Sequence, residues 1–275
     1  MPRRYRLGIP ALLITGVYIV ALAVAAVIAL TAGDLGALWR LTLFTEVSDS
    51  VAVTLPNVLI LVLAGLPWAW ALWQSMRGPL AAPPPELDRN ERRLRVALYA
   101  AAASSLLYAL APAWPWWAAV LDAMVMWVVV LLFQPVLGRN LEFAEGARAA
   151  GVLAFGGVAA IEVLDVLDWP VPGWLAVICG VAGLIWTVLV LRAQRHDSRW
   201  HGATVVYGIA ALVVPFVFPL VGLLFALAGR HISDDAAVAA DALMMIWLAR
   251  SAHELADPRH QPAPPSPLPT QPSTP

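Results

Sequence analysis

Long apolar runs separated by short polar breaks make up most of the chain, and within each run the apolar residues are continuous and do not alternate. Runs over 9–31, 51–74, 94–111, 116–137, 149–167, 173–191, 202–228 and 236–255 predict eight helices. Each is close to the ~20 residues that carry a helix across a ~30 Å hydrocarbon layer. Transmembrane β-strands are excluded, because they show short segments of alternating polarity. The eighth run is the least apolar, since it carries Asp241 and Arg250. Between the first two runs, Leu35, Leu38, Trp39 and Leu43 recur at helical spacing around Arg40. That pattern fits a short amphipathic helix lying in the membrane interface, or an ordered loop.

The breaks organise the rest. Arg3, Arg4 and Arg6 precede a first run of 23 residues, longer than the ~7–15 of a signal-peptide core, which predicts a retained helix. Segment 77–95 holds Pro79, Pro83, Pro84 and Pro85, then four arginines among three acids. It is the main polar linker and the best boundary between two halves. Trp114-Pro115 and Trp169-Pro170 mark two tight turns, and the helix pairs they join resemble each other, although aligning them needs gaps. Pro215 and Pro219 fall within 202–228, where proline removes backbone bonds and bends a helix. A break there would free carbonyls, as discontinuous transporter helices do. Segment 257–275 has eight prolines in nineteen residues and should be a disordered, extended cytoplasmic tail. The division is thus an integral membrane domain over 1–256 and a tail over 257–275.

Composition strengthens the class. Hydrophobic residues are 61% and charged ones 13%, with mean hydropathy +0.76, against about 45–50% and about 25% in soluble domains. The fold class is all-α, a polytopic transmembrane helical bundle without a soluble domain. All 17 basic residues are arginine, the usage of a GC-rich bacterial genome. Without lysine, Schiff-base chemistry is excluded. The lone Cys179 permits no intrachain disulfide.

The net charge of −1 conceals an asymmetry. With eight crossings and an inner N-terminus, fifteen arginines fall on the cytoplasmic side and only Arg40 and Arg230 fall outside. Both termini are therefore expected in the cytoplasm of a cell-membrane protein. Trp39, Trp114, Trp116, Trp117, Trp169 and Trp174 would form an outer aromatic belt, with Trp70, Trp73 and Trp200 at the inner interface. Ala176 and Gly180, four apart, make a small-residue packing face.

Candidate chemistry lies in the acids. Glu162, Asp165 and Asp168 follow at intervals of three on the last turns of one run, and Asp122 and Asp241 sit about as deep in two others. Acids at such depth face a protein interior or a watery cavity and suit proton relay or cation coordination. The structural alternative is that each hydrogen-bonds a neighbouring helix as glue. Cation- or proton-site candidates are therefore Asp122, Glu162, Asp165 and Asp241. Arg89, Arg92, Arg93 and Arg95 are candidates for anionic lipid headgroups, although fixing the topology explains them equally.

Catalytic signatures are missing. The five histidines lie at run ends, in loops or in the tail, leaving no paired metal or haem ligands. There is no nucleophile elbow and no Gly-rich phosphate loop. No cofactor, metal or nucleic-acid partner is predicted; the expected partners are the lipid bilayer and a proton or small cation. Three functional readings result. The first is proton- or cation-linked transport through the bundle. The second is a non-catalytic scaffold or sensor binding a protein at segment 77–95 or the tail. The third is an enzyme on a lipid-borne substrate using the outer carboxylates.

Overall fold

A computed structural model describes residues 5–42, 53–79, 87–110, 115–138, 143–226 and 233–257, with backbone alone for 108–110, 215–226 and 233–240. Among these the chain is helical: α1 (Gly8–Ala32), α2 (Gly36–Thr42), α3 (Leu55–Met76), α4 (Arg89–Leu110), α5 (Trp116–Leu137), α6 (Ala144–Val166), α7 (Gly173–His196), α8 (Gly202–Ala226) and α9 (Ser233–Glu254). Five of them, α1, α3, α5, α6 and α7, are long and apolar enough to cross a membrane. The expected tail, apart from Asp257, lies outside the described residues, as do Trp114 and Arg230.

Local chemistry sets the helix ends. Gly33 closes α1 at φ 74°, its N–H donating to Ala29 O at 3.0 Å, the left-handed end that glycine adopts without strain. Thr54 caps α3 by accepting from Asn57 N, and Pro56 occupies the first turn, where a missing N–H costs nothing. The end of α6 is a Schellman cap: Asp168 takes φ 55° and donates to Asp165 O at 3.0 Å, while Trp169 N reaches back to Leu164 O at 3.1 Å.

Several predicted boundaries move. Helix α4 begins at Arg89 and not near 94, α6 at Ala144 and not near 149, and α7 continues to His196. In each case charged residues occupy helical turns beyond the apolar run, which hydropathy reads as loop although backbone bonding continues. Helix α8 is one span from Gly202 to Ala226 through the positions of Pro215 and Pro219, whose side chains are outside the described set.

Helices α4 to α9 pack in succession, and α9 returns to α4, closing a ring of six. Helix α3 packs on α9 from outside and brings α1 and α2 with it. Helix α9 is thus enclosed by α3, α4 and α8, and every residue from Met245 to Ala249 is buried. From Ala242 onward its side chains are buried or half-buried against protein, where Arg250 finds polar partners, so this half needs no lipid-compatible surface and reads as a weak span. The main core joins Trp68, Leu98, Phe133, Trp186 and Trp247 from five helices.

Helix α2 is the short helix that the spacing suggested, and it packs on α1 and α3. Leu35 and Leu38 join a second core with Leu22, Ala25, Val58 and Leu61, and Tyr18 Oη donates to Leu41 O at 2.7 Å. Tyr18 lies fourteen residues before Ala32, about 21 Å along the helix at ~1.5 Å per residue. Helix α2 therefore folds back alongside α1, and Tyr18 satisfies a carbonyl freed at its end. Leu43, the last residue of the predicted stripe, lies outside the described residues.

The expected face of Ala176 and Gly180 points outward, with nothing near Gly180. The α6–α7 contact uses the opposite side, where a Cβ at Gly157 would collide with Cys179 Sγ and one at Gly183 would touch Ala154. Trp116, Trp117, Trp169 and Trp174 are exposed, whereas Trp200, expected at an interface, is buried beneath the Arg199 guanidinium at 5.0 Å.

Candidate functional site

Hydrogen bonds bring the arginine-bearing helix ends together. Arg6 N donates to Pro79 O at 2.9 Å, tying the start of α1 to the end of α3. Gln134 Nε2 donates to Glu145 Oε1 at 2.9 Å between the end of α5 and the start of α6. Arg199, between α7 and α8, reaches Glu91 Oε1 on α4 and Val136 O on α5, each at 2.8 Å. Burial disfavours the charge on Arg199, but its hydrogen bonds and proximity to Asp197 and Glu91 outweigh this and raise its pKa above the ordinary value.

The densest polar network at this end surrounds Arg250. Its Nε donates to Thr204 Oγ1 at 3.0 Å, Nη1 to Gln74 Oε1 at 3.0 Å and Nη2 to Glu254 Oε1 at 3.2 Å. Glu254 also accepts from Thr204 Oγ1 at 2.5 Å and from His201 N at 2.9 Å. Alongside, Trp247 Nε1 donates to Gln194 Oε1 at 2.9 Å, and Gln194 Nε2 donates to Ser251 Oγ at 3.2 Å. These bonds join α3, α7, α8 and α9 through buried groups, so the network is a clasp between helices. The sequence reading missed it. Its one sequence signal is the i, i+4 pair Arg250 and Glu254 on a helix otherwise apolar near its end.

The opposite end carries the acids. Ser104 Oγ on α4 donates to Asp122 Oδ1 on α5, and Asp241 on α9 lies within electrostatic reach of Asp122. Asp122 and Ser104 are each six residues from a helix end, Trp116 and Leu110 respectively, about 9 Å deep at ~1.5 Å per residue. Asp122 is half-buried and Asp241 is exposed. Two carboxylates from different helices thus lie near enough for each to feel the other's charge, and Ser104 on α4 donates to one of them. Such a pair can pass a proton between its members or share a cation.

The other sequence candidates stand apart from this pair. Glu162 is half-buried on α6, Asp165 is exposed one turn on, and Asp168 forms the helix cap. Among the described residues no hydrogen bond or ion pair joins Glu162 to Asp122 or Asp241, and no group of three metal-ligating side chains occurs. Of the headgroup candidates, Arg89, Arg92 and Arg93 are exposed, whereas Arg95 is turned partly inward over the Tyr99 ring at 5.5 Å.

No family model, curated protein or solved structure matches this chain.

Proposed function

We propose that the chain is a multi-pass protein of a bacterial cell membrane in which the Asp122–Asp241 pair carries proton- or cation-linked transport. The observation that carries the reading is that Asp122, held by Ser104 of α4, lies within electrostatic reach of Asp241 on a third helix. Unlike charges at helix caps, they lie about two turns inside their helices, where an unpaired ionised acid is unfavourable by up to about 3 kcal/mol on insertion scales. Protonating one carboxylate, or placing a cation between the two, relieves that cost.

The test is melting temperature in detergent across pH and cation type. The parent should respond to both. Asp122→Asn and Asp241→Asn should fold, melt at or above the parent and lose most of that response. Parallel curves for all three proteins would make the acids structural glue and remove the transport reading.

Eight crossings with both termini cytoplasmic complete the proposal. In this arrangement α2 is the helix that does not cross, and the arginine-bearing end faces the cytoplasm. Cys179 is buried, so background labelling by an impermeant thiol reagent should be low. Cysteines introduced by Val171→Cys and Ser233→Cys should be labelled in intact cells, and those from Asn140→Cys and Ser198→Cys only after lysis. The reverse pattern would overturn the orientation.

A further inference from the structure

The Arg250 clasp leaves a second group of polar side chains beside it, on α3, α4 and α9. His253 is buried, 7% exposed, and its Nδ1 has no hydrogen-bond partner. The guanidinium groups of Arg77, Arg250 and Arg95 all lie within electrostatic reach of its ring. The ring itself packs against Tyr99 at 5.4 Å between centroids, and Arg95 lies over the same Tyr99 at 5.5 Å. Arg77 is held from the other side, over the Tyr5 ring at 4.6 Å, with Nη1 donating to Tyr5 Oη at 3.0 Å.

The unused hydrogen-bonding capacity here can all be spent on donation. Arg77 Nε and Arg95 Nε are buried without partners, and so is Ser75 Oγ, one residue beyond the Gln74 that holds Arg250. Guanidinium N–H groups can only donate; hydroxyl and imidazole N–H groups can donate as well. Buried donors without acceptors each cost about 1–3 kcal/mol, so Arg77 Nε and Arg95 Nε call for an acceptor that the chain does not supply, and His253 and Ser75 are able to donate to the same one. Glu254, the acid whose charge reaches Arg77, is already engaged by Thr204, His201 N and Arg250. Burial, and next the Arg250 charge, lower the Arg77 pKa below its ordinary value, against the opposing influence of Tyr5 and Glu254.

We propose that the arginine-bearing ends of α3, α4 and α9 together bind a phosphate-bearing anion, held by Arg77, Arg95, Ser75 and His253. A phosphoryl group offers several acceptor oxygens and a diffuse negative charge. It matches guanidinium donors better than a single carboxylate does, and it compensates positive charge that the fold has gathered and partly desolvated. Arg250 contributes charge only, since its N–H groups are committed to Thr204, Gln74 and Glu254. The phosphoryl group can belong to an anionic lipid headgroup or to a soluble phosphate compound. The site differs from the exposed Arg89, Arg92 and Arg93, which attract a membrane surface without enclosing anything. It is independent of the transport reading, because it lies at the other end of the bundle from Asp122 and Asp241.

The full chain in neutral detergent is titrated with inorganic phosphate against chloride of matched ionic strength. In a second arm, micelles are doped with phosphatidylglycerol or with phosphatidylcholine. Melting temperature is read in both. A saturable rise of several degrees with phosphate but not chloride identifies a soluble ligand; a rise with phosphatidylglycerol alone identifies a headgroup. Either rise should be lost in Arg95→Gln and Arg77→Gln and kept in Arg92→Gln, which removes the same charge from the surface. Should the glutamine variants fail to fold, Arg95→Lys keeps the charge without the Nε donor and should weaken apparent affinity several-fold. No response in either arm overturns the proposal. So does an equal loss in Arg92→Gln, which would mark diffuse attraction and not a site.

Discussion

Replacing Arg250 by alanine should destabilise the bundle by about 3–5 kcal/mol, the range found when one member of a buried ion pair is removed and the other charge is stranded. Side-chain exposure is 11% for Arg250 and 9% for Glu254, so little solvent screens the pair. The substitution would leave Glu254 with only the neutral donors Thr204 and His201 N, and Gln74, 3% exposed, without its donor. Glu254→Gln should cost less, because an amide oxygen still accepts from Thr204 and Arg250. Arg250→Met combined with Glu254→Met should recover much of the single-variant loss, since neither charge then remains to be solvated. Thermal melting in detergent of the four proteins checks this. An Arg250→Ala variant that melts with the parent would show that the clasp contributes nothing.

Trp247→Ala should be nearly as damaging, by about 3–5 kcal/mol for a fully buried aromatic. Trp247 is 0% exposed. It stacks on Phe133 at 6.4 Å with 6° between planes and meets Trp186 edge-on at 6.4 Å. Gly208 on α8 lets it approach, because a Cβ there would sit 2.9 Å from Trp247 Cδ1. Alanine would therefore open a void shared by α5, α7, α8 and α9. Trp247→Phe would keep most of the ring contact but strand the Gln194 oxygen, a loss of about 1–3 kcal/mol. Trp174→Ala, on an exposed ring, should change melting by no more than ~0.5 kcal/mol. Equal losses for Trp174→Ala and Trp247→Ala would contradict the packing described.

The helical class and the five helices long and apolar enough to span could be read from residue order because a lipid-facing helix advertises itself. Its outward side chains must be apolar whichever neighbours it has, as in α1, where Ile9, Leu13 and Val17 are exposed. The Trp169-Pro170 turn was legible for a similar reason: it depends on backbone chemistry within a few residues, with Pro172 preceding α7. Helix ends were less legible. Arg89 to Arg95 and Ala144 to Arg148 are charged turns of real helices, and hydropathy measures affinity for lipid, not backbone hydrogen bonding.

Spacing made Asp122, Glu162, Asp165 and Asp241 equivalent candidates, and only tertiary structure separated them. Rotation of α5 and α9 about their axes, with α4 between, brings Asp122 and Asp241 within reach of each other, while α6 carries Glu162 and Asp165 elsewhere and uses Asp168 to close its end. The Arg250 clasp and the uncompensated donors of Arg77, Arg95 and His253 were invisible for the same reason. Their partners lie up to 176 residues apart in the chain, and which helix neighbours which is decided by packing. Periodicity along the chain determines what each helix can present to its surroundings. The choice of neighbour then determines whether a polar group meets lipid, a partner or nothing, and here it set α9, with Arg250 near its end, among α3, α4 and α8.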